Sequence, residues 1–150
     1  PKVIEFNNRF GDPETQSVLP RMKSDLLDIL LAVTENRLSE QTIEWSDQKA
    51  VCVVMASGGY PGSYEKGRKI SGLKNVERDI LVFHSGTRSV ANIDTGEGEP
   101  SIVTDGGRVL GVTALGNTHE EARRKAYENV ERIHFEGAQY RRDIGRLNGK

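Results

Sequence analysis

Glu5, Asn7 and Arg9 are the residues of this chain whose types and spacing best suit chemistry. They lie in KVIEFNNRF at 2–10, a run that reads as a β-strand. Side chains alternate between the two faces of a strand, so Ile4, Phe6 and Phe10 share one face with Asn8, and the three polar residues share the other. Alternate side chains on one face lie about 6–7 Å apart, which lets a carboxylate and an amide carbonyl converge on one cation. Both are hard oxygen donors and suit Mg²⁺ or Mn²⁺ rather than zinc. Mg²⁺ takes few protein ligands when substrate phosphates supply the rest, so Glu-x-Asn is enough protein for such a site. Arg9 beside them can take a phosphate or carboxylate through its planar fork. A solvated strand face also carries such residues, and on the pattern alone that is the commoner explanation.

Other candidates are weaker. Asp12 precedes Pro13 and reads first as a helix N-cap, with Pro13 at the first helical position and Glu14 in the first turn. Cys52 sits within the apolar run AVCVVMA and reads as a small buried hydrophobe, not a nucleophile. GGYPG at 58–62 and DGG at 105–107 match neither a P-loop nor a dinucleotide fingerprint, so they read as turns. His84, His119 and His134 lack metal-ligand spacing. Trp45 reads as a loop anchor, and Arg123, Arg124 and Lys125 as a solvated helix face balanced by Glu120, Glu121 and Glu128.

The elements that must position these residues follow from periodicity. After the first strand, Pro20 ends or kinks the short helix begun at Asp12. A longer helix is expected over about Ser24–Thr34, with Leu26, Leu27, Leu30, Leu31 and Val33 as its apolar stripe. The polar stretch 36–48 is a loop and the place for a domain boundary, dividing residues 1–45 from 46–150. Beyond it, strands are expected at Ala50–Ala56, Ile80–Phe83 and Arg108–Ala114, with Ile102 and Val103 as the other arm of a hairpin across DGG. Residues 92–100 read as an exposed loop. A closing helix runs from about His119 to Ile133, opened by the capping box Thr118-x-x-Glu121, with Ala122, Ala126, Val130 and Ile133 on one face. The class is α+β.

Bulk properties narrow the function further. With 21 basic and 22 acidic residues the net charge is −1, which offers no broad attraction to nucleic acid or a membrane surface. No apolar stretch approaches the roughly 20 residues needed to span a bilayer. A single cysteine cannot form an internal disulfide, so a reducing, cytoplasmic setting is expected. The chain enters a strand directly at Pro1, as expected for a piece of a longer polypeptide.

The run VIEFNNRFGDPETQ (3–16) resembles the final strand and helix start of the ATP-grasp domain in phosphoribosylamine–glycine ligases. RMKSDLLDILLA, VVMASGGYPGSYEKG, VFHSGT, TDGGRVLGVTALG, EEARRKAY and RRDIG resemble the same family, in its order, across nearly the whole chain. The resemblance implies the last strand and helices of an ATP-grasp domain, followed by a small β-rich barrel- or sandwich-like domain with a closing helix. It implies Glu5 and Asn7 as ligands of Mg²⁺ or Mn²⁺ bridging ATP phosphates, with Arg9 in an anion-contacting role. The implied reaction joins glycine to 5-phosphoribosylamine at the expense of ATP, through a glycyl phosphate. Most of the family's nucleotide pocket would lie in the remainder of the polypeptide, leaving these residues inactive alone. Two alternatives are another ATP-grasp carboxylate–amine ligase and a non-catalytic β-rich packing module.

Overall fold

A computed structural model describes residues 2–4, 6, 8–92, 94 and 97–147. Its α-helices and β-strands, in chain order, are α1 (Thr15–Val18), α2 (Leu26–Thr34), β1 (Lys49–Ala56), β2 (Leu81–His84), β3 (Thr87–Val90), β4 (Ser101–Thr104), β5 (Arg108–Gly116) and α3 (His119–Val130).

The core is built around β5, whose apolar and β-branched residues suit a strand buried on both edges. It pairs antiparallel with β1, Lys49 opposite Gly116 through Met55 opposite Leu110, and on its other edge with β2, Leu81 opposite Thr113. This register puts Val51, Val53 and Met55 on one face with Ala114, Val112 and Leu110, and all six are buried. α3 covers that face with Ala122, Ala126 and Val130, and Ile133 and Phe135 extend the same cluster. Burying each of the larger side chains contributes about 1.5–3 kcal/mol, so this sheet–helix sandwich is the main source of stability. Thr118 caps α3 as expected, accepting from the Glu121 N–H at 3.1 Å. The Glu121 carboxylate reaches one residue further back than a capping box requires, to the Asn117 N–H at 2.7 Å.

The expected hairpin between Ile102–Val103 and Arg108–Ala114 does not form. β4 pairs instead with β3, a strand the pattern did not indicate, Thr87 opposite Thr104 and Val90 opposite Ser101. β2–β3 and β4–β5 are thus the two arms of one long hairpin, bent midway. The bend lies where Gly86 and Gly106 touch: a Cβ on Gly86 would stand 2.6 Å from both the Arg108 carbonyl oxygen and the Gly106 Cα. DGG is therefore the crease of the hairpin and not its end. The glycines at 105–107 signal close backbone approach as readily as reversal, and only the pairing partner separates the two.

The N-terminal expectation also changes. None of residues 2–4, 6 and 8–10 belongs to a strand, and Ile4 and Phe6 are 97% and 85% exposed. A strand needs a ladder partner for its N–H and C=O groups, and no described strand of this chain supplies one. Glu14, not Asp12, stands at the start of α1, without a side-chain cap, and the Asp12–Pro13 peptide is cis. A 3-10 turn at Leu19–Arg21 follows, with Pro20 inside it. α2 starts two residues later than expected, capped by Asp25, whose carboxylate accepts from Leu27 N–H at 2.7 Å. Its expected apolar stripe faces outward: Leu27, Leu30, Leu31 and Val33 are exposed, while Ile29 and Ala32 are buried. The loop at Trp45 is held by backbone pairing and not by the indole, which is exposed: Ser46 N–H donates to the Arg21 carbonyl at 2.7 Å and Lys23 N–H to the Glu44 carbonyl at 2.9 Å.

Candidate functional site

Of the three residues singled out first, Glu5 and Asn7 lie outside the described residues, and Arg9 is exposed, its guanidinium donating to the Phe10 carbonyl at 3.0 Å. Among the described residues no group of three or more His, Cys, Asp or Glu could hold a metal ion. The donor chemistry of a carboxylate with an amide oxygen still fits a hard divalent cation that takes its other ligands from phosphates and water.

Directly after Arg9 the chain turns, and here the structure adds what the pattern missed. Thr15 N–H donates to the Gly11 carbonyl at 2.9 Å. Gln16 Nε2 donates to Asp12 Oδ1 at 3.0 Å. From the start of β5, Arg108 donates one guanidinium nitrogen to the Asp12 carbonyl at 2.9 Å and sets the other 3.1 Å from Asp12 Oδ2. Asp12, read as a helix cap, is thus the partner of an arginine 96 positions away. The signal available in the sequence was an acid at a turn and an arginine after DGG, neither of which names the other.

The turn forms one side of a cavity of about 840 Å³. Its floor is the face of β1 away from α3, with Cys52, Val54 and Ala56; Pro13 and Val18 stand on one side, Tyr60 and Pro61 on another, and Tyr140 and Ile144 on a third. Glu14, Arg108 and Arg141 bring the charge to its lining. Burial pushes the Cys52 thiol up from its ordinary value; the Thr113 hydroxyl pulls the other way, and the charge of Asp12 adds to the rise. A thiol held protonated is a poor nucleophile, so Cys52 is part of an apolar floor, as expected.

GGYPG is a turn and DGG the crease of the hairpin, and the fold joins them. Ser57 donates its hydroxyl to Gly106 O at 2.8 Å and its N–H to Gly107 O at 2.8 Å. Gln139 ties the turn down from the other side, donating to the carbonyls of Ser57 at 3.1 Å and Tyr60 at 2.9 Å. The Tyr60 ring fills the space a side chain at position 107 would need, a Cβ there lying 2.1 Å from Tyr60 Cδ2.

The basic residues of α3 divide. Arg124 pairs with Glu128 at 2.7 Å on an exposed face, as expected. Lys125 reaches Asp79 at 3.1 Å and holds its carboxyl below the usual range. Arg123 is not solvated: it donates to the carbonyls of Ile144 at 3.1 Å and Arg142 at 2.8 Å and lies 4.8 Å from the centre of the Tyr127 ring. It thereby pins the C-terminal segment that closes the cavity. His84 is structural, its Nδ1 2.9 Å from Thr87 Oγ1.

A three-stranded sheet closed by one helix, a creased hairpin and a clamped N-terminal turn define an α+β domain. Residues 50–147 match the family described as "Phosphoribosylglycinamide synthetase, C domain", and the chain belongs to that family. It is 51% identical over 144 residues to the phosphoribosylamine–glycine ligase of Caldanaerobacter subterraneus, covering 96% of this chain and 32% of that protein. It is 49% identical over 146 residues to the Escherichia coli K12 protein of the same name, covering 97% and 32%. The crystal structure of the Thermotoga maritima phosphoribosylamine–glycine ligase superposes with a TM-score of 0.68 at 36% identity, over 95% of this chain and 33% of that one. The chain therefore spans about a third of the length of the curated relatives it matches.

Proposed function

We propose that this chain is the C-terminal part of a phosphoribosylamine–glycine ligase, which forms glycinamide ribonucleotide from glycine, 5-phosphoribosylamine and ATP. The observation that carries the reading is the unbroken likeness to ligases of that name over 96% of the chain, which takes in the segment before residue 50 as well as the C domain. On this reading residues 1–45 are the C-terminal piece of an ATP-grasp domain, and 46–150 form the β-rich C-terminal domain. The enzyme works in the cytoplasm and joins small molecules, with the remainder of its own polypeptide supplying most of the nucleotide pocket.

The chemistry asks for two displacements. A carboxylate oxygen of glycine attacks the γ-phosphorus of ATP and ADP leaves; the amine of phosphoribosylamine then attacks the carbonyl carbon, phosphate leaves and the nitrogen gives up a proton. The first step needs positioning and neutralised charge more than covalent help from the protein. Glu5 and Asn7 hold a Mg²⁺ or Mn²⁺ ion, which when bound neutralises phosphate charge. Arg9 contacts an anionic group of a substrate through its exposed guanidinium, exchanging its bond to the Phe10 carbonyl for a two-pronged contact.

Glu5→Ala in the full-length enzyme tests this reading. The expected outcome is a loss of activity of at least about 100-fold with the melting temperature unchanged, since an exchanged metal ligand removes transition-state stabilisation and not core packing. An unchanged rate with unchanged Mg²⁺ dependence would exclude the metal assignment.

A further inference from the structure

We infer that Arg108 is a positioning residue for the segment that carries Glu5, Asn7 and Arg9, holding the turn after that segment from the rigid start of β5. The inference rests on the metal-binding reading proposed above. Its carrier is a contact between the two parts of the chain: one guanidinium nitrogen on the Asp12 carbonyl at 2.9 Å, the other 3.1 Å from Asp12 Oδ2. Backbone and side chain of one residue are gripped at once, so the peptide orientation at Asp12 is set as well as its place. Gln16 holds the remaining carboxylate oxygen at 3.0 Å, which prevents rotation of the group out of the grip.

The two ends of this contact differ in rigidity. Arg108 begins a strand paired on both edges, its carbonyl accepts from Gly86 N–H at 2.9 Å, and the next two residues, Val109 and Leu110, have no exposed surface. On the other side, none of residues 2–4, 6 and 8–10 lies in a strand, and Asp12 is three positions beyond Arg9. A fixed point so close to Arg9 limits where that side chain and its predecessors can stand.

Stability is a poor explanation for the pair. Both side chains are about two-fifths exposed, 39% and 44%, and ion pairs that open to solvent contribute little to folding. The geometric demand is high, because only a planar fork reaches a carbonyl and a carboxylate together, and lysine lacks it. Small misplacements of binding groups reduce rates steeply, which is where such a contact would act.

The test uses the full-length enzyme with Arg108→Met, which keeps much of the stem and removes every donor, and Arg108→Lys. Rate is followed against free Mg²⁺ at fixed ATP complex, alongside the melting temperature. Arg108→Met is expected to raise the half-saturating Mg²⁺ at least about 10-fold with kcat reduced, and Arg108→Lys to recover only part of the shift. An unmoved Mg²⁺ profile in folded Arg108→Met overturns the inference, as does an activity loss that merely follows a lowered melting temperature. If Arg108→Met does not fold, the lysine variant decides: a shifted profile supports the role, and a wild-type profile overturns it. Glu5→Ala run beside them separates the two ideas. If Glu5→Ala leaves the Mg²⁺ profile unmoved, the metal reading fails; if it moves the profile and the Arg108 variants do not, only the clamp fails.

Discussion

Asn129 offers a quantitative check on the way α3 is fastened to the fold. It is polar yet has no exposed surface, and it stands on α3 beside the buried Val130. Its Oδ1 accepts from the Glu77 N–H at 2.9 Å, and its Nδ2 donates to the Lys125 carbonyl at 2.9 Å and toward Glu77 Oε2 at 3.4 Å. Asn129→Ala leaves the Glu77 N–H without an acceptor, which costs about 1–3 kcal/mol, and removes a further bond worth about 1 kcal/mol. The sum, about 2–4 kcal/mol, is a large share of the roughly 5–15 kcal/mol that holds a domain together. Asn129→Asp keeps the acceptor but turns an oxygen toward the Lys125 carbonyl and the Glu77 carboxylate, and it buries a charge. It should be worse than alanine at pH 7. Burial raises the introduced carboxyl above its unfolded value of about 3.9, so the lost stability returns as pH falls through the folded value and is lost again as pH rises. Urea denaturation of the 150-residue chain followed by circular dichroism measures all three. Alanine within about 0.5 kcal/mol of wild type, or aspartate equal to asparagine at pH 7, would show that these hydrogen bonds do not fasten the helix.

Two further outcomes are expected. Gly86→Ala should destabilise the chain by about 1–3 kcal/mol in the same urea assay, since its Cβ meets backbone on both sides of the crease and backbone cannot step aside. Cys52 should resist alkylation by iodoacetamide at pH 8 in the folded chain and react readily in urea, and its rate should inflect at a higher pH folded than unfolded, because burial holds the proton on the thiol; mass spectrometry of timed samples reads both.

The closing half of the chain was largely legible before any coordinates. The β1 and β5 strands and α3 appear within two or three residues of their expected limits, and Ala122, Ala126, Val130 and Ile133 share the buried face their spacing assigned. These are long segments in which one period dominates, and the core they form needs only its own neighbours. β3 was missed because TRSV has no apolar alternation: its burial is partial, and pairing with β4 alone makes it a strand. The stripe of α2 was read correctly as apolar and wrongly as covered, for a helical pattern records which face seeks a partner and not whether this stretch of chain contains it. The two metal-ligand candidates lie outside the described residues, so the structure describes only Arg9, the turn behind it and the cavity beside that turn.

Residue types and their spacing were enough to establish the α+β class, the helix that closes it and, through a long ordered resemblance, the family. Those features are local or inherited, written within a few turns of chain. Folding alone decided that Asp12 serves Arg108 and not a helix end, that DGG is a crease, that Arg123 holds the C-terminal segment and that Asn129 is buried and satisfied. Each of those joins residues tens of positions apart, and a polar side chain's role is set by whichever partner the packed core delivers to it, which no local period encodes.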